Sequence, residues 1–243
     1  MDDLSIEASR AKTGCLIELK IDGSRMSFCN GALTSDREIN RNARYGHVLK
    51  EVATIDWKVR GEMAIPGGNV HHLNKKENWP RAKYYLFDLF ELGGKDVRSY
   101  TLTDRRTMLE EELAKKNFQH LLLPIKFDTF DEGWQYVINN AAEGVVLKLN
   151  DDVNWKCKLL KEAKLKIVGH EAGKSKGSFL IEREGIVGKV SGTSDGFLKI
   201  YQALIGAGKQ VYAEIEYPFV TDAGLLFQPR LRRVGTLEDL KFS

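Results

Sequence analysis

Three cysteines in 243 residues, Cys15, Cys29 and Cys157, are odd in number, far apart and without a Cys-x-x-Cys pair. They point to neither a disulfide framework nor a structural zinc site and read as inert thiols. No apolar run approaches the roughly 18 residues of a membrane span, and the acidic start Met1-Asp2-Asp3 is wrong for a secretory signal. A protein working in the cytoplasm, away from membranes, is expected. A strong charge of one sign is missing too. The formal net charge is +3, with 24 Lys and Arg against 24 Asp and Glu in residues 1–159 and 13 against 10 in residues 160–243. The small C-terminal excess suits a polyanionic partner without requiring one. What is present is an ordinary globular composition, 42% hydrophobic and 29% charged, enough for a sizeable core and two domains.

The stretch that organises the chain is Glu18-Leu19-Lys20-Ile21-Asp22-Gly23-Ser24-Arg25. Lys20 ends an apolar run and is followed by an acid, a glycine and an arginine. A lysine amine attacks phosphorus only when unprotonated, which calls for partial desolvation and nearby positive charge such as Arg25. A strand over 15–21 would bury the lysine stem, and Gly23 would let the backbone turn tightly beside a ligand. The competing reading is a solvent-facing lysine before an Asp-Gly hairpin turn.

Further along, Asn30-Gly31 is a hairpin signal between strands at 24–29 and 32–35. Arg37 either returns to the pocket of Arg25, to hold a phosphate or ribose, or is an exposed strand-end arginine. Residues 38–50 read as a helix with irregular packing. Residues 57–64 form a strand carrying Glu62, and 67–81, with His71 and His72, a mobile surface loop rather than a metal site. The run 83–90 is a buried strand, in which one ring next to Asp88 has the shape to stack on a base. A helix is expected over 103–117, with Thr103 as N-cap and Met108, Leu109 and Leu113 inward. A strand follows over 121–127, then a helix over 131–142 with Trp134, Val137, Ile138 and Ala141 on one face. Two short strands, 143–148 and 155–158, have charges at alternating positions. Lys156 and Lys158 share one face, as a polyanion site or as an exposed doublet. After a hinge at 159–163, strands at 165–169, 178–181, 186–190, 211–217 and 225–234, with a helical piece at 197–205, fit a small barrel of the oligonucleotide-binding type.

Taken in order, these segments resemble the nucleotidyltransferase motifs of ATP-dependent DNA ligases. Lys20 to Arg25 is similar to motif I, Arg60-Gly61-Glu62 to motif III and residues 85–89 to the Phe-Asp motif after it. Residues 143–148 and 155–158 are similar to motifs IV and V. The resemblance implies an α+β protein: an antiparallel-sheet nucleotidyltransferase (adenylation) domain over 1–159 and a small OB-fold β-barrel domain over 160–243. It implies that Lys20 carries AMP as a phosphoramidate, that Glu18 reads the adenine amino group and that Phe87 stacks on the base. Arg25 and Arg37 would hold sugar and the 5′-phosphate of a nick, and Asp22 would act near the 3′-hydroxyl. Glu62 and Glu143 would bind ribose or metal, Lys156 and Lys158 the α-phosphate, and Lys148 belongs to the same nucleotide site. ATP and Mg²⁺ (or Mn²⁺) are the implied cofactors, and nicked duplex DNA is the partner of an expected monomer.

The likeness weakens at the end. The usual Arg-x-Asp-Lys motif is absent, and residues 228–235 offer Arg230, Arg232 and Arg233 instead. DNA contacts are expected from these three with Arg37, Lys174 and Lys176, chiefly through phosphates. No large N-terminal DNA-binding domain precedes motif I, so the expectation is a minimal ligase of phage or bacterial type. RNA ligases and mRNA capping guanylyltransferases share the lysine motif. A non-catalytic nucleic-acid-binding barrel protein is the rival of another class, disfavoured by the intact set Lys20, Glu62, Glu143, Lys156 and Lys158.

Overall fold

The computed structural model describes residues 15–149, 154–173 and 177–241. Within it the chain separates into two units, Met1–Leu159 and Leu160–Ser243. The first begins with β1 (Leu16–Lys20), β2 (Ser24–Cys29), β3 (Ala32–Ser35), α1 (Gly46–Val52) and β4 (Trp57–Ala64). Then come α2 (Val70–Asn74), β5 (Lys83–Leu92), β6 (Lys95–Asp96) and α3 (Leu102–Ala114). It ends with β7 (Leu121–Leu122), β8 (Lys126–Phe127), α4 (Phe130–Asn140), β9 (Gly144–Lys148) and β10 (Asn154–Lys158).

These strands make two sheets. One runs β10-β9-β1-β8 and the other β3-β2-β4-β5-β6, with β7 added in parallel beside β5. The turn from β2 to β3 is Asn30-Gly31, both at positive φ (49° and 75°), which matches the twist of a two-residue hairpin. The run 121–127, expected as one strand, is cut by Pro124, which has no N–H to give a ladder. Its first half pairs with β5 in one sheet and its second with β1 in the other.

Each sheet is held by its own apolar cluster. Met26, Val59, Met63, Tyr84, Leu86 and Leu89 pack with Val48, Leu73 and Leu109. Ile17, Val145, Leu147 and Cys157 pack with Phe127, Phe130 and Val137. Each fully buried side chain of this size contributes roughly 1.5–3 kcal/mol.

Further sequence expectations need correction, among them the helix expected over 38–50, which is only Gly46–Val52. Helix α3 is capped by Thr101, not Thr103: Thr101 Oγ1 accepts from Asp104 N at 3.1 Å while the Asp104 carboxylate returns to Thr101 N, and this reciprocal pair fixes the start two residues earlier. Helix α4, capped by Thr129 one residue earlier than expected, buries Phe130, Gly133 and Val137 at the i, i+3, i+7 spacing of one face, which leaves Ile138 49% exposed. Residues 67–81 are no loop but α2 followed by a 3-10 helix, Lys76–Arg81, anchored by fully buried Leu73. There His72 closes a capping box with Asn69.

The second unit contains β11 (Lys161–Glu171), β12 (Ser178–Arg183), β13 (Ile186–Ser191), α5 (Asp195–Gly206), β14 (Tyr212–Tyr217) and β15 (Arg230–Gly235). They form one antiparallel sheet of order β13-β12-β11-β14-β15. Ile167, Phe179, Ile181, Val190, Ala213 and Ile215 are its core, with Phe197 and Tyr201 of α5 packed on it. No ladder joins β13 to β15 among the described residues. The expected hinge is partly strand, since β11 opens at Lys161 opposite Tyr217. The expected long last strand is only Arg230–Gly235, with Val220 and Leu226 forming a separate bridge. No helix among the described residues is long and apolar enough to cross a membrane.

Candidate functional site: a cationic cleft around Lys20

The two sheets of the first unit supply opposite sides of a cleft of about 290 Å³, lined by Glu18, Lys20, Arg25, Glu62, Phe87, Lys148 and Lys156. Register explains the convergence. Strand β9 lies between β1 and β10, and Gly144 is the pairing partner of both Lys20 and Lys158. One row further along, Val146 pairs with both Glu18 and Lys156. Side chains alternate along a strand, so one face of this sheet carries Glu18, Lys20, Lys148, Lys156 and Lys158 while the other carries buried Ile17, Val145, Leu147 and Cys157.

Glu143, just before Gly144, therefore stands between two amines. Its Oε2 accepts from Lys20 Nζ at 2.6 Å, and its Oε1 lies 3.0 Å from Lys158 Nζ. Gly144 permits this approach: at φ 155°, an added Cβ would sit 1.9 Å from Cys157 O. Gly23 likewise abuts Met63 O, where a Cβ would come to 2.2 Å, so its tight turn also serves packing on β4.

The other sheet contributes Arg25 and Glu62, partners across β2 and β4. Between β4 and β5 the register jumps, Arg60 facing Asp88 while Gly61 faces Leu86. Phe87 is the extra residue of that bulge, which turns its ring to the cleft. Lys148 Nζ lies 4.8 Å from the Phe87 ring centroid and donates to Phe87 O at 2.8 Å.

The electrostatics show crowding of both signs. Burial, then the neighbouring Glu143, raises the Glu62 carboxyl from 4.5 to about 7 against the opposing pull of Lys20 and Arg25. Asp22 is raised by burial and by Glu143, although its Oδ1 accepts from Val70 N at 3.1 Å. Lys156 is lowered by burial and then by Arg25 and Lys20. Cations are thus gathered closely enough to disfavour one another, as they would around an anion.

Glu18 is 1% exposed and reaches the cleft between two cations. Its Oε1 accepts from Arg106 Nη1. Its Oε2 lies 2.5 Å from Lys148 Nζ, so each carboxylate oxygen faces its own cation.

Not every expected residue is here. Arg37 is exposed and does not line the cleft, whereas its neighbour Asp36 sits 3.6 Å from Arg25. In the second unit Arg230 is exposed, Arg232 pairs with Glu216 at 2.5 Å, and Arg233 lies 3.7 Å from Glu214 and donates to Asp239 O. Arg232 and Arg233 are thus occupied by acids of β14, a cross-strand pairing that sequence order hides. Lys174 and Lys176 lie outside the described residues. Sequence reading missed Arg105 and Arg106, both buried. Arg105 Nε donates to Asp88 Oδ1 at 3.0 Å. The signal was available, since both precede buried Leu109 by four and three residues, the spacing of one helix face.

No protein-family model matches the chain. DNA ligase 4 of Neurospora crassa is 29% identical over 104 residues, a match that takes in 39% of this chain and 10% of that relative. The chain thus spans about a tenth of the length of that curated relative. A solved structure of a Lig E DNA ligase, described as a minimal scaffold for DNA binding, superposes with TM-score 0.68 at 19% identity, covering 91% of this chain and 93% of the other. A mycobacterial DNA ligase D, solved with ATP and MES, superposes with TM-score 0.51 at 19% identity over 92% and 89% of the two chains. Lysine-bearing sheet, facing sheet and C-terminal five-stranded unit together give this chain the fold of the DNA ligases.

Proposed function

We propose that this chain is an ATP-dependent DNA ligase that seals nicks in duplex DNA through a lysyl-AMP intermediate on Lys20. The observation that carries the reading is the meeting of the Lys20 amine, the Phe87 ring and the Glu18 carboxylate at one cleft. An adenine would lie on the ring and give its amino hydrogen to Oε2, leaving the phosphates among Lys20, Arg25, Lys156 and Lys158. The matched DNA ligases, one of them solved with ATP, support the same substrate.

The chemistry follows from the charges. Lys20 Nζ gives a proton to solvent, leaves Glu143 and attacks the α-phosphorus. The N–P bond forms, the bond to pyrophosphate breaks, and Lys156 and Lys158 take up charge on the phosphoryl oxygens. AMP then passes to the 5′-phosphate at a nick, and the 3′-hydroxyl, near Asp22, displaces it. Glu62, whose carboxyl burial raises to about 7, and Glu143 are the two acids that would hold a Mg²⁺ or Mn²⁺ ion here. Such an ion supplies charge neutralisation at the phosphates.

In the second unit, the strand order β13-β12-β11-β14-β15 with α5 between the third and fourth strands supports an OB-fold domain. Its exposed Arg230 supports a role on DNA phosphates, with Arg37 of the adenylation domain beside it in that assignment. ATP and nicked DNA as substrates imply work inside a cell, and a monomer suffices because all the site residues come from one chain.

The test is incubation with α-labelled ATP, and in parallel with GTP and NAD labelled in the transferred nucleotide, followed by denaturation. Label retained from ATP alone, lost in Lys20→Ala, and sealing of nicked DNA over nicked RNA are expected. Absence of covalent label from all three would overturn the reading.

A further inference from the structure

Helix α3 has no part in the sequence motifs, yet it sends a buried arginine to Glu18, which lines the cleft. Arg106 is 6% exposed and spends its donors on three acceptors. Nη1 donates to Glu18 Oε1, Nη2 to Pro124 O at 3.0 Å, and Nε to Glu110 Oε1 at 2.9 Å. Glu18 and Arg106 are 88 residues apart. A glutamate in the middle of a strand, as Glu18 is in β1, has rotational freedom at χ2 and χ3. Here one oxygen is tied down by a planar guanidinium whose own plane is set by the Pro124 carbonyl and by Glu110, so the second oxygen has a single direction in which to accept.

We propose that Arg106 is a positioning residue for nucleobase selection: by clamping Glu18 Oε1 it sets the carboxylate plane, so that Oε2, which faces Lys148, has a fixed orientation from which to accept from the 6-amino group of the purine. The inference rests on the adenylation reading above and adds to it where base discrimination comes from. A site that accepts a hydrogen bond from a substrate amine rejects an analogue lacking it only if the acceptor is held in place. Lysine at 106 would keep the buried positive charge but not the fork that fixes the plane. Lys148 does not replace the clamp, since its ammonium hydrogen-bonds to Phe87 O while facing Oε2.

The experiment compares lysyl-nucleotide formation from α-labelled ATP and from α-labelled purine riboside triphosphate, which lacks only the 6-amino group. It is run on the full chain as wild type, Arg106→Lys, Glu110→Gln, Glu18→Gln and the double variant Arg106→Lys/Glu18→Gln. The ATP-to-analogue ratio is expected to fall about tenfold or more in Arg106→Lys and by about two- to threefold in Glu110→Gln, which loosens the same guanidinium from its half-exposed side. Arg106→Lys should cause no further fall once Glu18 is Gln, because the two act as one unit. A simple loss of stability would lower both rates together and leave the ratio intact. An unchanged ratio in Arg106→Lys overturns the proposal; should that variant not fold, an unchanged ratio in Glu110→Gln does so. Failure of wild type to take label from ATP would instead remove the adenylation reading itself.

Discussion

Glu143 holds Lys20 from across 123 residues of chain, its Oε2 accepting from the lysine Nζ at 2.6 Å, while its other oxygen faces Lys158. The carboxylate seats the Lys20 amine, the proposed nucleophile, at the cleft and partly offsets the cations gathered there. Glu143→Ala is expected to slow lysyl-AMP formation by about 10²–10³, the range for losing one preorganised charged group. Lys20→Ala should abolish it while leaving sealing of a pre-adenylated nick measurable. Single-turnover labelling with ATP, beside sealing of a pre-adenylated substrate, separates the two; equal loss of both activities in Lys20→Ala would contradict the nucleophile role.

Glu62 carries a stability cost that pH reveals. Its carboxyl is raised from 4.5 to about 7 in the folded state, chiefly by burial. Between those values the folded chain binds the proton more tightly than the unfolded chain, so the contribution to stability is greatest below 4.5 and is lost as pH rises through 7. Glu62→Gln is expected to be more stable than wild type at pH 8, by up to about 3 kcal/mol. The difference should vanish by pH 4.5, and adenylation should be lost. Denaturant melts at both pH values check this, and a wild type that is the more stable at pH 8 would refute it.

Gly144 separates packing from chemistry. An alanine there would drive Cβ into Cys157 O, with φ at 155°. Gly144→Ala should destabilise the protein by about 3 kcal/mol and displace Glu143 or Lys158, reducing adenylation far more than secondary structure. Circular dichroism, thermal melting and ATP labelling on the same preparation measure the three effects, and full labelling in a folded variant would show the site tolerates the shift.

On DNA, Arg230 and Arg232 should differ. Arg232 is already held by Glu216, whereas Arg230 is exposed. Arg230→Ala is expected to weaken DNA binding uniformly and to reduce the slope of log affinity against log salt by about 1. Arg232→Ala should change it less. Fluorescence anisotropy with nicked duplex at several salt concentrations reads both slopes, and equal slopes for the two variants would remove the distinction.

How much was legible depended on how local each cause was. The Asn30-Gly31 hairpin and the strand over 57–64 rest on conformational preferences and alternation within a few residues, and both stand as read. The strand over 121–127 failed at Pro124, and helix α3 failed at its cap because two threonines, Thr101 and Thr103, compete and the first meets Asp104 at the capping-box spacing.

The sequence alone singled out Lys20, Glu62, Glu143, Lys156 and Lys158, because each falls in a short motif and the motifs occur in the order that resembles the ligases. Tertiary structure alone decided that Gly144 would be shared by two lysine-bearing strands, that a bulge would turn Phe87 to the cleft, and that Arg106 would reach Glu18. Those outcomes depend on strand register and on which helix face is buried, and both are settled by contacts between residues far apart in the chain.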